Sequence, residues 1–74
     1  AFWMKDMKFP LDIIWLDENW RVVDMAKNLA PETYPQTFEP KEKALYVLEV
    51  NSGFAAANNL KEGDKLSFVG HEVK

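Results

Sequence analysis

The sequence predicts a mainly β fold, a small antiparallel β-sandwich or barrel-like domain with one short helix near residues 53–60. Three observations predict it. Short runs rich in β-branched and aromatic residues recur along the chain, and Leu11 to Leu16 is too short to prefer a helix. Turn-forming residues punctuate these runs, at Asp17-Glu18-Asn19 and again at Glu62-Gly63-Asp64. The chain has 74 residues, which is room for one domain over 1–74, and its 14% aromatic content supplies the bulk a small core needs.

Taken in order, Phe2 to Lys5 reads as a short strand of bulky residues, and Pro10 marks where the next strand begins, because proline cannot donate to a ladder. Leu11 to Leu16 is apolar on both of its alternating faces except at Asp12, the pattern of a strand covered on both sides. The turn at Asp17-Glu18-Asn19, with Asn19 suited to a left-handed conformation, leads into a partner strand from Trp20 to Ala26, making an antiparallel hairpin. Simple alternation puts Val23 and Met25 on one face of that strand and Val22, Asp24 and Ala26 on the other. From Asn28 to Lys43 come Pro31, Pro35 and Pro40, three of the four prolines. This stretch reads as an ordered loop with no regular element, pinned by Tyr34 and Phe38. Ala44 to Val50 is another strand, with Leu45, Val47 and Glu49 sharing a face. Ser52 is placed to cap a helix from about Gly53 to Leu60, with Phe54, Ala57 and Leu60 inward. Gly63 supplies a positive φ to the next turn, and Lys65 to Val69 closes the fold as a last strand.

Composition narrows the function classes. There is no Cys, so neither a disulfide nor a thiolate metal site is available. Net charge is −3 and no basic run is interleaved with aromatics, which argues against nucleic-acid binding. No apolar run approaches the roughly 20 residues of a membrane span, and no signal-peptide pattern is present, so no membrane insertion is expected. His71 is the only histidine and reads as a solvated tail residue, so no metal and no cofactor are expected. Ser52 and Ser67 lack a nucleophile-elbow context.

Two carboxylates interrupt otherwise apolar strand faces, Asp12 beside Ile14 and Leu16, and Glu49 beside Leu45 and Val47. A buried carboxylate needs a partner or a shifted pKa, so these two and Lys5, the nearest cation in sequence, are the candidate acid–base cluster. The alternative role is a structural pin, and ion-pair networks of that kind are common enough to make it the favoured one. Trp3 and Trp20 join Lys5, Asp12 and Glu49 as candidate ligand- or partner-binding residues, since an exposed indole suits a flat ligand. Trp15 reads as core.

Several blocks then combine: Phe2-Trp3-Met4-Lys5, Pro10-Leu11-Asp12-Ile13-Ile14-Trp15, Tyr46-Val47-Leu48-Glu49-Val50, Gly53 and Gly63-Asp64. In order and spacing the chain resembles the domain of unknown function 192 family, from its first residues to about Val69. The resemblance implies a compact β-rich domain of sandwich or barrel type with a short helix, and no established activity. It also raises an extracytoplasmic or periplasmic location. Family members carry a further strand-bearing stretch ahead of Phe-Trp-Met-Lys, so this chain is expected to be a short relative or a piece of a longer domain. A sheet without its leading strands turns the 2–17 segment into an edge, which favours a homo-oligomer formed through that exposed strand edge.

The expected function is a non-enzymatic module that binds a small polar ligand or a partner through the Pro-rich loop and exposed aromatics. The alternatives are a small enzyme using Asp12, Glu49 and Lys5 on a polar substrate, and a structural or assembly domain. Cluster geometry separates the first two: carboxylates opening into a cleft beside Lys5 favour the enzyme, and carboxylates bound to backbone N–H groups disfavour it.

Overall fold

The computed structural model describes residues 2–34 and 36–66. Its elements are β1 (Phe2–Trp3), β2 (Leu11–Leu16), β3 (Val22–Leu29), a 3-10 turn over Pro31–Thr33, β4 (Thr37–Phe38), β5 (Tyr46–Asn51) and α1 (Phe54–Ala57). β2 is the middle strand of a three-stranded antiparallel sheet of order β3-β2-β5, and β1 pairs antiparallel with β4 in a separate ribbon. The fold is mainly antiparallel β with one short helix, as expected. The sheet does not close on itself, so the barrel alternative gives way to an open sheet. β2 is paired on both sides and is no edge, so among the described residues the outer edges of the sheet belong to β3 and β5.

Alternation along β2 builds a core on each face. Ile13 and Trp15 pack with Met4 and Leu29 on one side, joined by Leu11, Val23, Ala26, Phe38 and Ala44. Ile14 and Leu16 pack with Val22 on the other, joined by Met25, Leu48, Val50, Leu60 and Leu66. Full burial of each aliphatic side chain stabilises the fold by about 1.5–3 kcal/mol, so the two-sided strand carries much of the stability of a small domain.

β3 departs from strict alternation twice. Trp15 pairs with Asp24 but Leu16 pairs with Val22, leaving Val23 as an extra residue. Leu11 pairs with Leu29 and Ile13 with Ala26, so Lys27 and Asn28 together face Asp12. Each bulge resets the parity of the strand. Val22 and Met25 therefore share one core and Val23 and Ala26 the other, in place of the partition that counting by twos gives.

The hairpin turn is organised by Asp17, whose Oδ1 accepts the backbone N–H groups of Asn19 (2.8 Å) and Arg21 (3.0 Å). The left-handed residue is Trp20, at φ 63°, rather than Asn19, and Trp20 lies outside the strand. The Pro-rich stretch is more regular than expected, since it contains both the 3-10 turn and β4. Phe38 packs on the Met4 core and Tyr34 meets Trp3 at 5.2 Å between ring centroids. Asp24 holds the far end of this stretch by accepting the Lys41 N–H at 2.8 Å, and the Lys41 ammonium pairs with Glu62 at 2.5 Å.

The helix is shorter than expected and stops for a local reason. Asn59 adopts a left-handed φ of 51°, the Asn59 N–H donates to the Ala56 carbonyl (3.1 Å) and the Leu60 N–H to the Ala55 carbonyl (3.0 Å). That pair of bonds is a Schellman ending, and Leu60 provides its apolar contact with the core. After the turn at Gly63 (φ 91°), Lys65 bridges Arg21 and the Leu66 N–H donates to the Trp20 carbonyl. The rest of the last expected strand, Ser67 to Val69, lies outside the described residues, as do Pro35 and His71.

Candidate functional site

Asp12 is fully buried, on the same face of β2 as Ile14 and Leu16. The bulge opposite it turns the Asn28 N–H away from the ladder, with Asn28 at a left-handed φ of 57°, and that N–H donates to Asp12 Oδ1 at 2.8 Å. Asp12 Oδ2 accepts the Ala55 N–H at 2.9 Å, in the first turn of α1. The carboxylate thus caps the helix from a different strand while satisfying the bulge. Gly53 stands at the N-cap position of α1, at φ 95°, and carries no side-chain cap. Ser52 is therefore not the cap: its hydroxyl donates to Asn28 Oδ1, and its N–H donates to the Pro10 carbonyl at 3.3 Å. One buried side chain, with Ser52 and Asn28 beside it, ties β2, the β3 bulge and α1 together.

The other members of the expected acid–base cluster stand elsewhere. Glu49 pairs with Ile13 across β2–β5, whereas Asp12 pairs with Val50, so the two carboxylates project from opposite faces of the sheet. Glu49 is exposed. Lys5 is also exposed, with its ammonium 5.7 Å from the ring centroid of Trp3. Trp3, Lys5 and Tyr34 form a surface aromatic corner with a cation over it, and Asp12 lies in the interior. The structure does not bring Lys5, Asp12 and Glu49 together, and Asp12 opens into no cleft.

The Leu16 end of the sheet is different. Trp20 and Tyr46 stack with centroids 4.2 Å apart and planes 14° from parallel, and they remain 37% and 43% exposed. Leu45 and Val47 beside Tyr46 are more exposed still. At this end an open groove of about 320 Å³ is lined by Asp17, Glu18, Lys43 and Leu45. Sequence reasoning found Trp20 but missed Tyr46 and the groove. Asp-x-Asn in a hairpin turn was the available sign that Asp17 would be a fixed structural acceptor at this edge.

Among the described residues no group of three or more His, Cys, Asp or Glu side chains is placed to hold a metal ion. The pKa of Lys41 is raised above 10.5, chiefly by its hydrogen bond to Glu62; desolvation acts the other way, and the nearby charges of Glu62, Asp24 and Glu42 add to the rise. That pair fastens the Pro-rich stretch to the Glu62-Gly63 turn, beside the Leu16 end of β2, where Asp24 stands opposite Trp15 and the Gly63 N–H donates to the Val22 carbonyl.

The family model DUF192, described as an uncharacterized ACR, matches residues 1–68. The chain belongs to the DUF192 family. Its blocks at Phe2 to Lys5 and Pro10 to Trp15 are the β1 segment and all of the central strand but Leu16, so a large part of this DUF192 motif is core and pin. A crystal structure of a protein of unknown function from Novosphingobium aromaticivorans is similar, at 43% identity and a TM-score of 0.74. The similarity covers 86% of this DUF192 chain and 45% of that protein, so the chain spans under half of its length. No curated protein matches.

Proposed function

We propose that this DUF192 chain is a non-enzymatic binding module that presents its ligand or partner surface at the Leu16 end of the sheet. The observation that carries the reading is the stacked and partly exposed Trp20–Tyr46 pair, at the same end as an open groove. Stacked aromatic faces bury large area at low entropy cost on binding, and exposed Tyr and Trp are enriched where partners dock. The acid–base alternative loses its support from the placement of Asp12, both of whose oxygens accept backbone N–H groups, and of Glu49 on the opposite face.

A screen of sugars, nucleotides and small polar compounds by thermal shift tests the reading, because a ligand that binds only the folded state must stabilise it. A stabilising compound should also change Trp20 emission. A stabilising compound that leaves the Trp20 and Tyr46 signals unmoved would place binding elsewhere. Self-association through β5 is a second reading, supported by an outer edge that carries no strand among the described residues and by exposed Leu45 and Val47. A solution mass that stays at one chain across a wide concentration range would remove it.

A further inference from the structure

The groove at the Leu16 end is small and carries charge of both signs. Its volume of about 320 Å³ lies at the lower limit of small-molecule sites, roughly 300–1,000 Å³. Asp17 is fixed in place because its Oδ1 accepts two turn N–H groups, while Oδ2 takes no partner among the described residues. Glu18 and Lys43 line the same groove, yet neither makes an ion pair among the described residues, where Lys41 and Glu62 do. Leu45, 59% exposed, supplies an apolar wall.

We infer that this groove takes a small zwitterion of the amino-acid type, with its ammonium at Asp17 Oδ2 and Glu18, its carboxylate at Lys43 and its side chain on Leu45. The inference rests on the reading of the Leu16 end as the binding surface and names the ligand class for it. Charge complementarity decides the class. A ligand with only a positive group would face the Lys43 ammonium as well as the carboxylates, and one with only a negative group would face Asp17 and Glu18. A zwitterion meets both signs at once and adds apolar contact through its side chain. The groove is open to water, so each charge contact is weak and selectivity comes from their sum.

The test is a titration of the 74-residue chain followed by backbone amide chemical shifts, with three probes. These are L-leucine, 3-methylbutylamine, which lacks the carboxylate, and 4-methylpentanoate, which lacks the ammonium. Leucine should bind more tightly than either half and should move the amides of Asp17, Glu18, Lys43 and Leu45. Lys43→Ala should weaken leucine by roughly two- to fivefold, the size of an exposed ion pair, and leave the amine no weaker. Glu18→Gln should weaken leucine and the amine alike. All these positions except Asp17 are exposed, and the amide spectrum itself reports whether each variant is folded. If the amine binds as well as leucine, or Lys43→Ala changes nothing, the zwitterion inference fails. If none of the three probes binds but another compound moves Trp20 and Tyr46, the inference fails and the binding-surface reading stands. Should no compound in the wider screen bind at that end, both fall.

Discussion

Asp12 and Asp17 sit at opposite ends of the central strand, and their surroundings give the same side chain different roles. Asp12 is sealed against Ile14 and the α1 entrance, with one oxygen on the Asn28 N–H and the other on the Ala55 N–H. Asp17 is half-buried at the rim of an open groove that it helps to line, with Oδ1 holding the turn. A carboxylate fully used by backbone donors in the interior belongs to the fold, whereas Asp17 is held by one oxygen, beside charges that make no ion pair among the described residues. The difference is one of geometry, and residue type alone does not reveal it.

The largest expected effect breaks the closed end. Asp12→Ala leaves the buried Ala55 N–H and the part-buried Asn28 N–H without acceptors, at about 1–3 kcal/mol for the buried group and less for the other, and should destabilise the chain by on the order of 3 kcal/mol. Asp12→Asn keeps the shape and one acceptor but sets an NH2 group against a backbone N–H, and should cost about 1.5–3 kcal/mol. Urea unfolding measures both. Ligand affinity of whatever folded protein remains should stay unchanged, which a catalytic or binding role for Asp12 would not allow.

Gly53 fixes how α1 approaches the same carboxylate. A Cβ there would meet no atom within 4 Å, so Gly53→Ala should cost only the left-handed backbone penalty, about 1–2 kcal/mol. A larger loss would mean that the helix entrance, and Ala55 with it, had shifted off Asp12.

At the open end the order of effects reverses. Tyr46→Ala removes the stacked partner of Trp20 and should cost folding about 0.5–1.5 kcal/mol beyond the ring's own buried area, while weakening ligand or partner binding at that end. A variant that unfolds as readily as Asp12→Ala would show that the stack is core rather than surface, and the contrast between the ends would collapse.

The smallest effect comes from an exposed ion pair. The folded-state pKa of Lys41 is raised, so its pairing with Glu62 stabilises the fold below the unfolded lysine value of 10.5 and is lost as pH rises through the higher folded value. The pair is solvent-exposed, so the loss above that pH should be slight. Lys41→Met should flatten the alkaline limb of the stability profile and leave neutral pH nearly untouched.

The parts of this architecture that rest on unbroken patterns were legible in the sequence. Leu11 to Leu16 announced a strand covered on both faces, and the hairpin with a partner strand, expected at Trp20 to Ala26 and found at Val22–Leu29, followed from the turn between them. Asp12 stood out because it interrupts an aliphatic run. Its partners were hidden because both are backbone groups, which no side-chain pattern records. The bulges at Val23 and at Lys27-Asn28 hid the facing of β3, since a one-residue slip reverses every later position. Glu49 looked like a companion for Asp12 because alternation within one strand says nothing about register with another, and the register puts it on the other side. Ser52 looked like a cap because Ser caps helices often, yet a buried carboxylate from β2 already held the Ala55 N–H. The Leu16-end groove depends on Lys43 and Leu45 returning beside the Asp17 turn, a tertiary juxtaposition carried by the Leu45 N–H bond to the Leu16 carbonyl at 2.9 Å.

The central claim is that the Asp12 carboxylate is committed to two backbone donors. Amide hydrogen exchange at Asn28 and Ala55, compared between the native chain and Asp12→Asn, tests it most directly. The expected result is slow exchange at both amides in the native chain and a selective loss of protection at one or both in the variant, beyond the loss shared by neighbouring amides. Unchanged relative protection at Asn28 and Ala55 would mean that the carboxylate does not hold them, and would return Asp12 to the list of groups free to do chemistry.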